Sequence, residues 1–287
     1  MSTTAPAHVG VLGGGRMGAG IAHAFLLAGS RVTVVERDDD AASAASTRVL
    51  GSIDASIARA TALEPVDAYR ARFISSADRA AFATCGLVVE AVPEDLALKV
   101  EALTGIEEHV AADAVIASNT SSISIDELAA TLTDPARFLG MHFFNPVPAS
   151  ALVEIVRGAA TAPPLIESAR AWVQALGKTP VVVADAPGFA SSRLGVALGL
   201  EAIRMVEEGV ASAEDIDAAM TLGYKHPIGP LRLTDIVGLD VRLGIAEYLE
   251  AQLGERFAPP ALLRRLVAEG HLGRKTGRGF YEWKDER

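Results

Sequence analysis

A histidine and a glutamate twelve positions apart, His142 and Glu154, are the pair in this sequence best suited to moving a proton. The span from 140 to 154 reads GMHFFNPVPASALVE, two apolar runs around a proline-bounded turn. If those runs pair as an antiparallel hairpin centred on Pro148, the two side chains stand opposite each other, six residues out on either side. Imidazole exchanges a proton near neutral pH, and a carboxylate on its second nitrogen fixes the tautomer and strengthens the base. Such a pair suits removal of a hydroxyl proton. The same two residues also fit a core histidine capped by a surface glutamate, and the elements that position them decide between the two.

The run HVGVL at 8–12 is a short apolar strand that breaks into Gly13-Gly14-Gly15-Arg16-Met17-Gly18 before an apolar periodic stretch over 19–28. In this strand–turn–helix pattern Gly13 permits the turn, Gly15 lets backbone approach a pyrophosphate, and Gly18 lets the helix pack on the strand. The helix N-terminus offers unpaired N–H groups to phosphates, here those around Arg16 and Met17. Gly29 ends the helix, RVTVVE forms a second strand, and Glu36 falls about twenty residues beyond the loop, where a carboxylate accepts from ribose hydroxyls. Together these predict a dinucleotide site. Glu36 would repel a 2′-phosphate and favours NAD over NADP, while the neighbouring Arg37 leaves the second open.

Residues 38–62 read as a long helix with Val49, Ile53, Ile57 and Ala60 on one face, and Glu64-Pro65 starts a shorter one, a helical hairpin inserted after the second strand. Strands follow at FISS, GLVVE and AVIAS, with a helix over 94–110 between the last two. Short buried strands alternating with helices imply an α/β, Rossmann-type, mainly parallel sheet with helices on both faces. Ligands of such sheets lie beyond the carboxyl ends of the strands, which points to the turns 90–95 and 118–122 and the segment after Phe144. By hydroxyl chemistry alone, Ser118-Asn119-Thr120-Ser121-Ser122 reads as capping ahead of a helix over 124–130.

A return strand over 152–156, a helix over 163–176 and a last strand over 180–184 complete this part. Asp185-Ala186-Pro187-Gly188 is turn chemistry, and beyond it only helical patterns remain, over 189–208, 212–222, 239–253 and 261–269. Ser212 with Asp215 resembles a capping box. The boundary therefore falls near Asp185, with residues 1–185 as the dinucleotide-binding domain and 186–287 as an all-helical one. Apolar helix faces of such a domain bury against a twin copy or against the first domain, and a homodimer is the default expectation. In the tail, Arg274 and Lys275 among glycines make a solvated basic turn or an anion contact.

The net charge of −10 argues against binding a nucleic-acid backbone. No run approaches twenty apolar residues, so no membrane span is expected, and the cytoplasm is the expected compartment. The single cysteine, Cys85, excludes an intrachain disulfide and a cysteine metal cluster and reads as a buried small hydrophobe; no metal site is expected.

The segments GGGRMGAGIA, SNTSSISI, GMHFFNPVP, LVEIVRG, DAPGFASSRL, IDAAMTLG, HPIGPLRLTDIVGLD and LGRKTGRGFY, spread from Val9 to Tyr281, resemble the short-chain L-3-hydroxyacyl-CoA dehydrogenases, among them the 3-hydroxybutyryl-CoA dehydrogenases. The resemblance implies NAD-dependent interconversion of an L-3-hydroxyacyl-CoA and its 3-ketoacyl-CoA, in fatty-acid or butanoate metabolism. It assigns the catalytic histidine to His142 and its partner to Glu154. It moves Ser121 from capping to substrate contact. Cofactor contacts would fall on the glycine loop (Gly13, Gly15, Arg16, Met17, Gly18), Glu36, Glu94, Lys99, Ser121, Asn145 and Lys275, with Lys99 also near the coenzyme A end. One position departs: where the pattern after PGF has Asn-Arg, this chain has Ser192-Arg193, and serine is shorter than an amide. That bears on a substrate contact and on chain length rather than on reaction type. Two alternatives stand beside this reading: a relative acting on a carrier-bound hydroxyacyl group or free hydroxy acid, and a catalytically silent NAD-binding protein on the same scaffold.

Overall fold

The computed structural model describes residues 4–283 and divides into two compact units, Met1–Asp185 and Ala186–Arg287. The first is built on one sheet of eight strands: β1 (His8–Leu12), β2 (Arg31–Val35), β3 (Phe73–Ser76), β4 (Leu87–Glu90), β5 (Val115–Ser118), β6 (Phe138–Phe143), β7 (Leu152–Arg157) and β8 (Thr179–Ala184). Their spatial order is β3-β2-β1-β4-β5-β6-β7-β8. The pairs from β3 to β6 are parallel, β7 runs antiparallel to β6, and β8 is parallel to β7. Parallel strands covered on both faces need continuous apolar runs, which is why HVGVL and LVVE lack alternation.

Helices α1 (Arg16–Leu27), α2 (Asp39–Ala58), α3 (Val66–Ala71), α4 (Leu96–Glu107), α5 (Ile125–Ala129) and α6 (Pro163–Ala175) connect these strands. Phe25, Leu26, Ile53 and Val173 from α1, α2 and α6 pack with Val11, Val34, Leu139, Met141 and Ile155 of the sheet in one core. α2 stops at Ala58 because Ala60 turns to φ 53° and the Thr61 and Ala62 amides bond back to the Ser56 carbonyl. α4 starts at Leu96, later than its pattern suggests, since Asp95 caps it by accepting from the Leu98 N–H at 2.9 Å. Glu94 is thereby left outside the helix, in the turn after β4.

The second unit is helical: α7 (Ser191–Glu207), α8 (Ala213–Ala218), α9 (Pro230–Val237), α10 (Leu239–Leu253) and α11 (Ala261–Ala268). Val196, Leu200, Ile203, Leu231, Leu239, Leu249 and Leu263 form its core. α7 begins two residues later than the apolar pattern because Gly188 (φ 73°) and Phe189 (φ 51°) are both left-handed. α9 is absent from the sequence reading: two of its buried positions are Thr234 and Asp235, which interrupt the apolar period. Ser212 caps α8 through the Asp215 N–H at 3.1 Å, and α8 runs on into a wider turn over Ala219–Gly223. The tail folds back as a hook, bridging Gly273 to Arg278 and Arg278 to Glu282.

Candidate active site

The β6–β7 ladder sets His142 directly opposite Glu154. Both side chains are withdrawn from water, His142 6% and Glu154 1% exposed, and His142 Nδ1 lies 2.8 Å from Glu154 Oε2. Because a carboxylate has no proton to give, Nδ1 is the donor in that bond, and in that tautomer Nε2 is the basic nitrogen of the ring. The Phe144 ring stands 4.4 Å from the imidazole, centroid to centroid.

The strand carrying His142 is bonded to the turn after β5. Phe143 donates its N–H to Asn119 Oδ1 at 2.8 Å, and the Asn119 N–H goes to the Glu90 carbonyl at 2.9 Å. The serine-rich turn does not serve chiefly as a helix cap. Ser124 caps α5, accepting from the Glu127 N–H at 3.1 Å, and Asp185 takes the Asp126 N–H at 2.9 Å. The hydroxyls and amides of Ser121 and Ser122 and the Thr120 hydroxyl instead converge on Glu94 Oε1 at 2.7–3.1 Å. Lys99 lies beneath, 1% exposed, with Nζ 2.8 Å from Glu90 Oε1 and 3.3 Å from Glu94 Oε2. Ser118 Oγ donates to the other oxygen of Glu90 at 2.6 Å. Burial pushes the Glu94 carboxyl up, but Lys99 and the donors of the turn outweigh it and hold the group below the usual carboxylate range. Lys99 Nζ also donates to the Val92 carbonyl at 3.1 Å, so its ammonium is held between two carboxylates and the turn that carries Glu94.

A dinucleotide fits the loop after β1. A Cβ on Gly18 would lie 1.7 Å from the Gly13 carbonyl oxygen, whereas one on Gly15 would meet nothing within 4 Å, so open space faces Gly15. No side chain caps α1, leaving the first-turn N–H groups around Arg16 and Met17 available to phosphate oxygens. Glu36 braces the loop, accepting from Gly14 N–H at 2.7 Å and Arg37 N–H at 3.2 Å. Arg48 of α2 donates to the Gly14 carbonyl at 2.9 Å. Arg37 itself pairs with Asp38 at 3.0 Å. The turns 90–95 and 118–122 include Glu90 and Asn119, but nothing local marks their partners, Lys99 and the Phe143 N–H, or the reach of Arg48 to the first loop.

Asn145 is exposed at the start of the β6–β7 turn. In the second unit, Ser192 is half-buried in the first turn of α7. Lys275, in the hook, reaches both oxygens of Asp240 at 2.6 Å.

The family model of the 3-hydroxyacyl-CoA dehydrogenase NAD-binding domain matches residues 8–186, and that of the 3-hydroxyacyl-CoA dehydrogenase C-terminal domain matches residues 188–283. The chain belongs to the 3-hydroxyacyl-CoA dehydrogenase family. A 3-hydroxybutyryl-CoA dehydrogenase of Mycobacterium tuberculosis is 42% identical over 283 residues, spanning 96% of this chain and 98% of its own. The human mitochondrial hydroxyacyl-coenzyme A dehydrogenase is 40% identical over 286 residues, covering 96% of this chain and 91% of that one. Among solved structures, (S)-3-hydroxybutyryl-CoA dehydrogenase from Ralstonia eutropha superposes with a TM-score of 0.93 at 41% identity, covering 98% of this chain and all of the other. This 3-hydroxyacyl-CoA dehydrogenase is thus an NAD-dependent oxidoreductase on a Rossmann-type sheet followed by a helical unit. Among its described residues no helix is long and apolar enough to cross a membrane.

Proposed function

We propose that the substrate is a short-chain L-3-hydroxyacyl-CoA, 3-hydroxybutyryl-CoA in the first instance, and that His142 is the general base and acid of the reaction. The observation carrying this is the buried 2.8 Å contact between His142 Nδ1 and Glu154. In oxidation, His142 Nε2 takes the 3-hydroxyl proton, and Glu154 stabilises the resulting imidazolium. NAD, when bound, supplies the hydride acceptor. Ser121 and Ser192 steady the substrate oxygen. The loop over 13–18, Glu36 and Glu94 hold the dinucleotide, with Asn145 and Lys275 as further contacts. Glu36 favours NAD over NADP by repelling a 2′-phosphate. In reduction, the protonated His142 returns the proton to the oxygen.

Following nicotinamide absorbance over a chain-length series of 3-hydroxyacyl-CoA thioesters, with NAD and NADP side by side, tests the substrate. Free hydroxybutyrate and a carrier-bound form serve as competitors, and a higher kcat/KM on either would replace the thioester reading. His142→Ala should lose roughly 10²- to 10⁴-fold in kcat while still binding NAD, as removal of a general base commonly does. Near-full turnover in that variant would withdraw the assignment.

The reading extends to a cytoplasmic homodimer. Leu194, Leu222 and Tyr224 of the helical unit, each more than 70% exposed, supply the apolar surface that a second copy would cover. Sedimentation of the purified chain and fractionation of cells that make it are the corresponding measurements.

A further inference from the structure

Between Phe143 and Leu152 the chain makes a loop of eight residues, 144–151, which closes the hairpin bearing His142 and Glu154. The loop holds little regular bonding of its own: the Ala149 and Ser150 amides both return to the Pro146 carbonyl, at 3.0 and 3.1 Å. Its fixed points come from elsewhere. Val147 is buried against α1, where a Cβ on Gly20 would come within 2.8 Å of it. On the other side the Lys178 ammonium donates to the Val147 carbonyl at 2.6 Å and to the Ser150 carbonyl. The next residue, Thr179, donates its N–H to the Ala151 carbonyl at 2.6 Å.

Lys178 is itself firmly placed. Its N–H closes the end of α6 on the Val173 carbonyl at 3.1 Å, after Gly177 at φ 71°. It then leads into β8, whose Val181 lies beside Glu154 in the ladder. Both acceptors of its ammonium are uncharged carbonyls, so among the described residues no ion pair offsets its burial, and burial holds its amine below the ordinary lysine value. A half-buried cation without such an offset is a poor choice for stability alone; methionine would fill the same space more cheaply.

We propose that Lys178 is a positioning residue for the proton-transfer pair: by gripping the loop at two carbonyls it fixes β6 against β7 and so sets the approach of His142 Nδ1 to Glu154. This deepens the function proposed above and rests on it for its kinetic consequence, though not for its geometric one. The ladder is short, from Gly140↔Val156 to Phe143↔Val153, so the end of the hairpin next to the loop depends on how the loop is held. A shift of about 1 Å in such a group costs far more in rate than in stability.

The test compares wild type, Lys178→Met and Lys178→Arg in the full chain labelled with 15N-histidine, the His142 ring being assigned with His142→Gln. In wild type the proton between Nδ1 and the carboxylate should appear far downfield and exchange slowly. In Lys178→Met it should broaden or move upfield, and in Lys178→Arg, which retains several donors, it should persist. Kinetically, Lys178→Met should lose about tenfold in kcat with KM for NAD within twofold, and Lys178→Arg should recover most of it. An unchanged ring signal in Lys178→Met overturns the proposal, whatever the rate. If Lys178→Met does not fold, Lys178→Gln, with a shorter donor, takes its place and is judged by the same signal. Should wild type show the bridging proton but oxidise no 3-hydroxyacyl-CoA, the substrate reading fails while the clamp is still decided by the variants.

Discussion

Asn119 Oδ1 accepts the main-chain N–H of Phe143 at 2.8 Å, so the turn bearing Ser121 and the strand bearing His142 are tied by a bond between neighbours of the two residues. β5 and β6 are parallel and pair only as far as Ser118↔Gly140, so their chains would otherwise diverge at the point where the chemistry is placed. Asn119→Ala leaves a part-buried N–H without its partner, a cost of about 1–3 kcal/mol. We expect kcat to fall about tenfold and Tm by several degrees, while Asn119→Asp, which keeps the acceptor, stays nearer wild type. Equal losses in the two variants would show that the carbonyl oxygen is not what matters.

The glycines of the first loop should separate stability from cofactor binding. A Cβ at Gly18 has no room against the Gly13 carbonyl, 1.7 Å away, so Gly18→Ala must move backbone and should cost about 1–3 kcal/mol. At Gly15 the same methyl meets nothing, and its φ of −63° suits any residue. The entropy gained from alanine there is roughly offset by its poorer N-cap character, so Tm should stay within about 2 °C. KM for NAD should nevertheless rise at least about tenfold, since the methyl occupies the space a pyrophosphate approaches. A Gly15→Ala protein with unaltered KM for NAD would remove the dinucleotide from this loop.

Much of this architecture can be read from the chain, and the failures have physical causes. The hairpin register follows from two apolar runs of equal length about Pro148, and the glycine loop from the combination of strand, turn and periodic helix. What escapes are buried polar groups whose partners are not set by one hairpin. α9 hides because Thr234 and Asp235 occupy inward positions an apolar period would fill. Ser121 and Ser122 read as caps because hydroxyls near a helix start usually are; the family resemblance reassigns Ser121, and the position of Glu94, thrown out of α4 by the Asp95 cap, shows what both bond to. Lys99 offers no local sign of its burial, since its two carboxylates lie at β4 and in the turn that follows.

Asp235 is the clearest case, and it anchors the hook that carries Lys275. Fully buried, it accepts from Phe280 N–H at 2.9 Å, Tyr281 N–H at 3.0 Å and the Trp283 indole at 2.7 Å. Asp235→Asn turns an amide NH2 toward at least one of these donors and leaves it unpaired, at about 1–3 kcal/mol. The chain has two tryptophans, so in a Trp172→Phe background Trp283 emission reports the hook alone. We expect that emission to shift red in Asp235→Asn and KM for NAD to rise, with the same rise in Lys275→Ala. Native emission and native Tm in Asp235→Asn would mean that the three contacts do not hold the tail.

Acid sensitivity should trace in part to His23, buried in α1 with Nε2 2.8 Å from Ser56 Oγ and Nδ1 enclosed without a partner. Burial, then the charge of Lys178, lowers its pKa below the ordinary histidine value of about 6.5. The folded form therefore binds this proton less readily than the unfolded chain, so the group's contribution is complete above about pH 6.5 and is lost as pH falls through the folded value. His8, also depressed by burial, adds to the same trend, so the wild-type curve alone does not isolate His23. Thermal unfolding of wild type and His23→Gln between pH 8 and 5 separates them, because glutamine still bonds Ser56 but does not titrate. Wild-type Tm should fall more steeply below about pH 6.5 than that of His23→Gln, and parallel curves would show that His23 takes up its proton without opening the core.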